Sequence, residues 1–265
     1  MTLPEHLRRA YRYLARPVGR RLVRMLDRRR LAEALAAEAV PQDRLPAFVV
    51  VVPGTLGWLA PCLKLLPADQ PVWLLANGLS RTERRRLAEA FPQRRQFVLS
   101  VPPRAFARHG TVLDLVVAAC PTDFVLLDHD CYVFDPALLV PVAWSDDEFL
   151  AGVDLPGFVN HNPEAGLKFP RTHFLIVRRE RLLELAERFA VGCERVERAP
   201  ARVRELLAEI GLGDGRMAVP GMPFFDTLKL ATAVGLALGW RVRWLAPSEE
   251  AIRHIGGTAR GAQEG

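Results

Sequence analysis

Residues 124–131 read Phe-Val-Leu-Leu-Asp-His-Asp-Cys, an apolar run that stops at two carboxylates with one residue between them. Side chains on a β-strand repeat every two residues, so Asp128 and Asp130 point to the same side if the strand continues through both. Two carboxylates held that close repel by roughly 4 kcal/mol at about 4 Å with an effective dielectric near 20. A divalent cation offsets that repulsion. Mg²⁺ and Mn²⁺ prefer oxygen ligands and commonly bridge carboxylates to a substrate diphosphate. The plain alternative is a pair of solvated turn aspartates.

Upstream, Phe48–Val52, Val72–Ala76 and Phe97–Val101 are similar short apolar runs, each the length of a strand buried on both faces. Helical segments fall between them at Leu56–Leu66, Thr82–Phe91 and Val112–Cys120. Alternation at this spacing predicts an α/β domain with a mostly parallel central sheet. Downstream the pattern loosens. A loop-rich stretch 152–170 precedes a strand His173–Val177, helices near 180–190 and 200–210, a helix from Asp226 to Leu238 and a last strand Arg241–Leu245. Asp146-Asp147-Glu148 reads as a solvated turn.

The 265 residues are half apolar, enough for a sizeable core. No apolar run reaches the ~18 residues of a membrane span, and none suits a signal peptide. Cys62, Cys120, Cys131 and Cys193 are scattered without a CxxC pair, which points to neither a zinc cluster nor a disulfide framework. The expected setting is the cytoplasm.

The net charge of +6 is unevenly spread. Residues 1–30 hold ten arginines against Glu5 and Asp27, a net of +8, which leaves −2 for the remaining 235 residues. A basic arm on a nearly neutral domain does not support nucleic-acid binding by the core. In the arm, Leu7, Tyr11, Leu14, Val18, Leu22 and Met25 form one apolar stripe on an arginine-covered helix. Such a helix packs on its own domain or a partner, or lies peripherally on the inner membrane face. The arm spans residues 1–40, with 41–47 as a linker.

In open α/β sheets ligands sit at the carboxyl ends of the strands. Pro53-Gly54-Thr55, Asn77-Gly78 and Asp128-His129-Asp130 fall at such ends. In this order they resemble the nucleotide-sugar-binding half of glycosyltransferases with the GT-A fold. The resemblance covers residues 48–260 and implies a single Rossmann-like GT-A domain after the arginine-rich helical arm. It rests on VVVPGTLGWL, PVWLLANGLSRTERRRL, ARHGTVLDL and FVLLDHDCYVFDP.

The resemblance also implies roles. Pro53, Thr55, Asn77, His109, Asp128, His129, Asp130 and Gly256 would contact the donor, with Asn77 at the base and His129 against the ribose. Asp128 and Asp130 would bind Mn²⁺ or Mg²⁺. His254, in a segment similar to a C-terminal His-Gly loop, would complete the metal shell. Pro223-Phe224-Phe225-Asp226-Thr227 resembles the segment that faces the acceptor in related bacterial transferases, which makes Asp226 the candidate base. Asp is also a preferred N-cap, so capping of the following helix is the plainer role for Asp226.

The implied reaction moves a sugar from a UDP or GDP sugar to a hydroxyl acceptor: a glycan, a lipid-linked molecule, a protein or a small molecule. Two other readings compete. A haloacid-dehalogenase-type phosphatase also ends an apolar strand in Asp-x-Asp, but places it near the N-terminus. A non-catalytic nucleotide-sugar-like binding protein would use the fold without the chemistry.

Overall fold

The apolar runs form four neighbouring strands, β1 (Ala47–Val51), β2 (Val72–Ala76), β3 (Arg95–Val98) and β4 (Phe124–Asp128). Alternate residues of β1 serve opposite faces. Phe48 and Val50 join one apolar cluster, and Ala47, Val49 and Val51 join the other. Burial on both faces is why β1, β2 and β4 read as unbroken apolar stretches, whereas β3 at the sheet edge is only partly buried. A computed structural model of the chain describes residues 23–38, 41–153, 161–162, 166–217, 224–245 and 250–256.

The remaining strands are β5 (Cys131–Val133), β6 (Glu148–Val153), β7 (His161–Asn162), β8 (Leu167–Lys168), β9 (Phe174–Val177), β10 (Arg241–Leu245) and β11 (Ile252–His254). The seven-stranded sheet runs β10-β6-β9-β4-β1-β2-β3. Only β9 is antiparallel to its neighbours. The expected α/β architecture with a mostly parallel sheet is the one observed.

Seven α-helices are described: α1 (Arg28–Ala36), α2 (Leu56–Leu65), α3 (Arg81–Ala90), α4 (His109–Ala119), α5 (Arg179–Phe189), α6 (Ala201–Ala208) and α7 (Lys229–Ala237). α1 and α4–α7 cover one face of the sheet; α2, α3 and the β5–β11 ribbon cover the other. No helix among the described residues is long and apolar enough to cross a membrane.

Residues 1–22 of the stripe lie outside the described residues, and its last member, Met25, is 64% exposed. The buried face is instead Val23, Asp27, Leu31 and Leu35. A π-helical turn at Val23–Asp27 shifts the phase, because a wider turn advances the buried face by more than 3.6 residues. Buried Asp27 is satisfied by the Ser100 N–H at 2.7 Å, the Ser100 hydroxyl and Arg30. The described part of the arm therefore packs on its own domain.

Most boundaries shift by one to three residues, the helix expected at Val112–Cys120 beginning at His109, and three differences matter more. β3 stops at Val98 rather than Val101, because its partner β2 ends at Ala76; the Leu99 N–H donates to the Ala76 carbonyl as the last link. β6 was not expected, and Glu148 belongs to it rather than to a solvated turn: it is buried and paired with Arg243. The helix expected from Asp226 begins at Lys229, with Leu228 as its N-cap in a left-handed conformation. The Lys229 N–H donates to the Asp226 backbone carbonyl and no side-chain cap bond forms, so Asp226 acts on Lys229 through its charge rather than as a cap.

Candidate metal and donor site

The parallel strands bring the loops after β1, β2, β3 and β4 to one edge of the sheet. β9, running the other way, delivers its first residues to that same edge, where the Asp128 N–H donates to the His173 carbonyl at 2.9 Å. β4 ends at Asp128, and a turn through His129 and Asp130 leads into β5. The two carboxylates thus converge through a turn rather than along a continuous strand. β11 pairs antiparallel with β5 and sets His254 directly opposite Cys131, the residue after Asp130.

The result is a three-residue cluster. Ligand atoms of Asp128, Asp130 and His254 all lie within 4.8 Å of one another. His254 Nε2 is 3.3 Å from Asp130 Oδ1 and 3.9 Å from Asp128 Oδ2. His109, the first residue of α4, approaches from the other side, with Nε2 3.9 Å from Asp128 Oδ1. The donor set of two hard carboxylates and one imidazole fits a divalent cation of the Mn²⁺ or Mg²⁺ class, with the imidazole favouring Mn²⁺. The Asp128 side chain is 27% exposed and Asp130 only 5%, so the cluster is open on the Asp128 side.

Burial raises the Asp128 carboxyl above its ordinary value. His109 opposes that shift and Asp130 adds to it. Burial also lowers His129 and pushes His173 down to about 3, with the neighbouring His254 and Arg171 adding to the His173 shift. Cys62 on α2 lies beneath the cluster, its Sγ 3.8 Å from the Asp128 carbonyl, and burial pushes its thiol up to about 12. Cys131 is raised for the same reason, so both thiols are protonated fillers rather than nucleophiles.

The other expected contacts sit around this centre in more structural positions. Asn77 is 1% exposed, and its amide exchanges two hydrogen bonds with the Ala107 backbone. It shapes the loop before His109 and has no free amide edge to offer a base. Gly78 has φ +74, and a Cβ there would meet the Ala105 carbonyl at 2.8 Å, so only glycine lets the two loops approach. Thr55 is fully buried, and its hydroxyl donates to the Val52 carbonyl. Pro53 is half-buried beside it. The imidazole of His129 bonds the Val50 backbone on β1 instead of standing free in the cleft.

Gly256 has φ +72 and lies against the His254 ring. Ile255 ties that turn down, its N–H donating to the Asp130 carbonyl at 3.2 Å.

The Asp226 segment is held against the start of α4 rather than against the cluster itself. Phe225 and Val196 exchange backbone hydrogen bonds at 2.9 Å, and the Leu228 N–H donates to the Cys193 carbonyl. The segment 193–194 in turn lies on the first turn of α4: Thr111 donates to Glu194 at 2.8 Å, and Gly110 leaves no room for a side chain against Cys193. Leu228 holds a left-handed φ of +67, a strain on the order of 1 kcal/mol that these contacts over-determine. Pro223 and Gly257 lie outside the described residues, as does Asp154; the side chains of His161 and Asn162 are likewise not described.

Two residues take roles that the sequence did not assign; Arg171-Thr172-His173 read there only as a poor signal for phosphate or acceptor contact. His173 stacks on His254, with ring centroids 4.4 Å apart and planes 7° apart. Glu83 accepts from Gly54 and closes a capping box with Ser80, for which the Ser80-x-x-Glu83 spacing was the available signal.

The sequence profile of the family described as the StrH glycosyltransferase N-terminal domain matches residues 25–182. The chain belongs to this family. The StrH-family span runs from the π-turn into α5 and includes His109, Asp128, Asp130 and His173; Asp226 and His254 lie beyond it. The glycosyltransferase membership expected from the resemblance is thereby borne out. No curated protein matches the sequence.

Solved structures with a similar backbone include the WbbM bifunctional glycosyltransferase in its apo form (12% identity, TM-score 0.45, 78% of this chain and 40% of that one). The mannosyltransferase PcManGT from Pyrobaculum calidifontis, in complex with GDP-Man and Mn²⁺, is another (13%, 0.37, 67% and 58%). A third is the glycosyltransferase GlyE of Streptococcus pneumoniae TIGR4 (11%, 0.38, 77% and 45%). The StrH-family chain spans between 40% and 58% of the length of these three.

Proposed function

We propose that the chain is a metal-dependent glycosyltransferase that moves a sugar from a UDP or GDP sugar to a hydroxyl acceptor. The observation that carries this reading is the convergence of Asp128, Asp130 and His254 at the ligand edge of the sheet, in a chain of a glycosyltransferase family.

In this reading Asp128, Asp130 and His254 hold Mn²⁺ or Mg²⁺. The bound cation supplies positive charge against the diphosphate as it leaves. His109 and the N-terminal turn of α4 stand beside the same oxygens, where a helix N-terminus favours an anion. The Pro53–Thr55 turn and the loop braced by Asn77 wall the nucleoside. His129 underlies it, with its ring held by Val50. Gly256 lets the chain after His254 turn over the diphosphate. Asp226 takes the proton of the attacking acceptor hydroxyl, the role a general base has in an inverting transfer. The acceptor, whether glycan, lipid-linked, protein or small molecule, enters on that side. The arginine-rich residues 1–30 contact a partner or the inner membrane face.

Thermal unfolding with UDP or GDP, each with and without Mn²⁺, tests the reading. Stabilisation that requires both nucleotide and cation is expected. Neither nucleotide stabilising the protein in the presence of Mn²⁺, or aryl-phosphate turnover with Mg²⁺, would overturn it.

A further inference from the structure

His173 stands outside the three-residue cluster yet touches both halves of it. Its carbonyl accepts the Asp128 N–H, which ties down the end of β4. Its ring lies parallel to that of His254 at 4.4 Å. The residue is 2% exposed, and its Nε2 has no hydrogen-bond partner among the described residues. What it delivers to the site in this state is therefore its plane and its carbonyl.

His254 needs such a neighbour. It ends a three-residue strand, its side chain is 20% exposed, and the ring torsion of histidine is intrinsically broad. The turn at Gly256, which carries no side chain, also lies against the ring. We propose that His173 is a positioning residue: its ring fixes the plane of the His254 imidazole and so directs Nε2 at Asp128 and Asp130. This rests on reading those three residues as cation ligands. Groups that orient a metal-bound histidine typically carry about 10–100-fold in metal affinity.

The test is Mn²⁺ affinity in the presence of UDP or GDP, read by electron paramagnetic resonance of free Mn²⁺, for the wild type and the variants His173→Phe, His173→Leu and His173→Ala. Metal-free thermal unfolding is measured alongside, since a purely structural role would move stability and leave the affinity of the folded protein unchanged. His173→Phe keeps a flat ring and should bind within about threefold of wild type. His173→Leu, of similar bulk but not planar, and His173→Ala should each lose about tenfold or more. Equal affinity in the Leu variant and the wild type would overturn the proposal, as would a Phe variant as weak as the Leu variant. A wild-type protein that binds no Mn²⁺ would remove the metal reading itself, and this proposal with it.

Discussion

Asn77 and Ala107 exchange two hydrogen bonds: Asn77 Nδ2 donates to the Ala107 carbonyl at 2.9 Å, and the Ala107 N–H donates to Asn77 Oδ1 at 2.8 Å. The pair closes the end of β2 against the loop that delivers His109 to Asp128. Asn77→Ala leaves two buried backbone groups without partners, at about 1–3 kcal/mol for each group left unsatisfied. The urea midpoint should fall by an amount equivalent to about 2–6 kcal/mol. Asn77→Asp retains the acceptor and should lose less at acidic than at neutral pH. A midpoint unchanged in Asn77→Ala would show that the loop does not depend on this pair.

Asp128→Asn removes a charge that burial and the neighbouring Asp130 disfavour. The metal-free protein should be as stable as wild type or more so. Mn²⁺-dependent stabilisation should disappear, and transfer should fall by at least about a hundredfold, equivalent to ~3 kcal/mol of transition-state stabilisation. Calorimetry with and without Mn²⁺, together with transfer rates on the responding donor, checks both halves.

Asp226→Asn separates chemistry from folding. The side chain does not cap α7, but its charge opposes the lowering of the buried Lys229 ammonium. The stability cost should therefore stay near 1 kcal/mol. As the base, its loss should lower kcat by about 10²–10⁴-fold with the donor KM little changed. A kcat within a few-fold of wild type, at saturating donor, assigns the base elsewhere.

Glu148 gives a pH-dependent stability. Two bonds from Arg243 and one from the Ser145 N–H hold its carboxyl below the ordinary value, Arg243 being the main cause. A lowered folded value means that the stabilisation is present above the ordinary carboxylate range and is lost as pH falls through the depressed value. Arg243 is one-third exposed, so solvent screening limits the contribution to about 1 kcal/mol. Glu148→Gln should lower the Tm near pH 7, and the difference should vanish as pH falls below the depressed value. A constant difference across that range would exclude the ion pair as its source.

β1, β2 and β4 were legible because burial on both faces demands continuous apolar runs, and Asp128 was legible because a charge ending such a run is conspicuous. β6 escaped because Asp146, Asp147 and Glu148 read as solvent-facing; only the arrival of Arg241 and Arg243 on the adjacent β10 pairs two of them. His173 was legible only as part of Arg171-Thr172-His173, a poor signal for phosphate or acceptor contact; its stacking on His254 has no local signature.

Residue order alone determined the α/β class, the alternation of strands and helices up to β4, and the position of the aspartate pair, since each follows from local periodicity. Tertiary structure decided which groups meet that pair. The antiparallel insertion of β9 between β4 and β6 brings His173 to Asp128, and the pairing of β11 with β5 brings His254 to Asp130 from more than a hundred residues away. Contacts of that separation depend on strand pairing and the exclusion of water from a shared core, which no local pattern encodes.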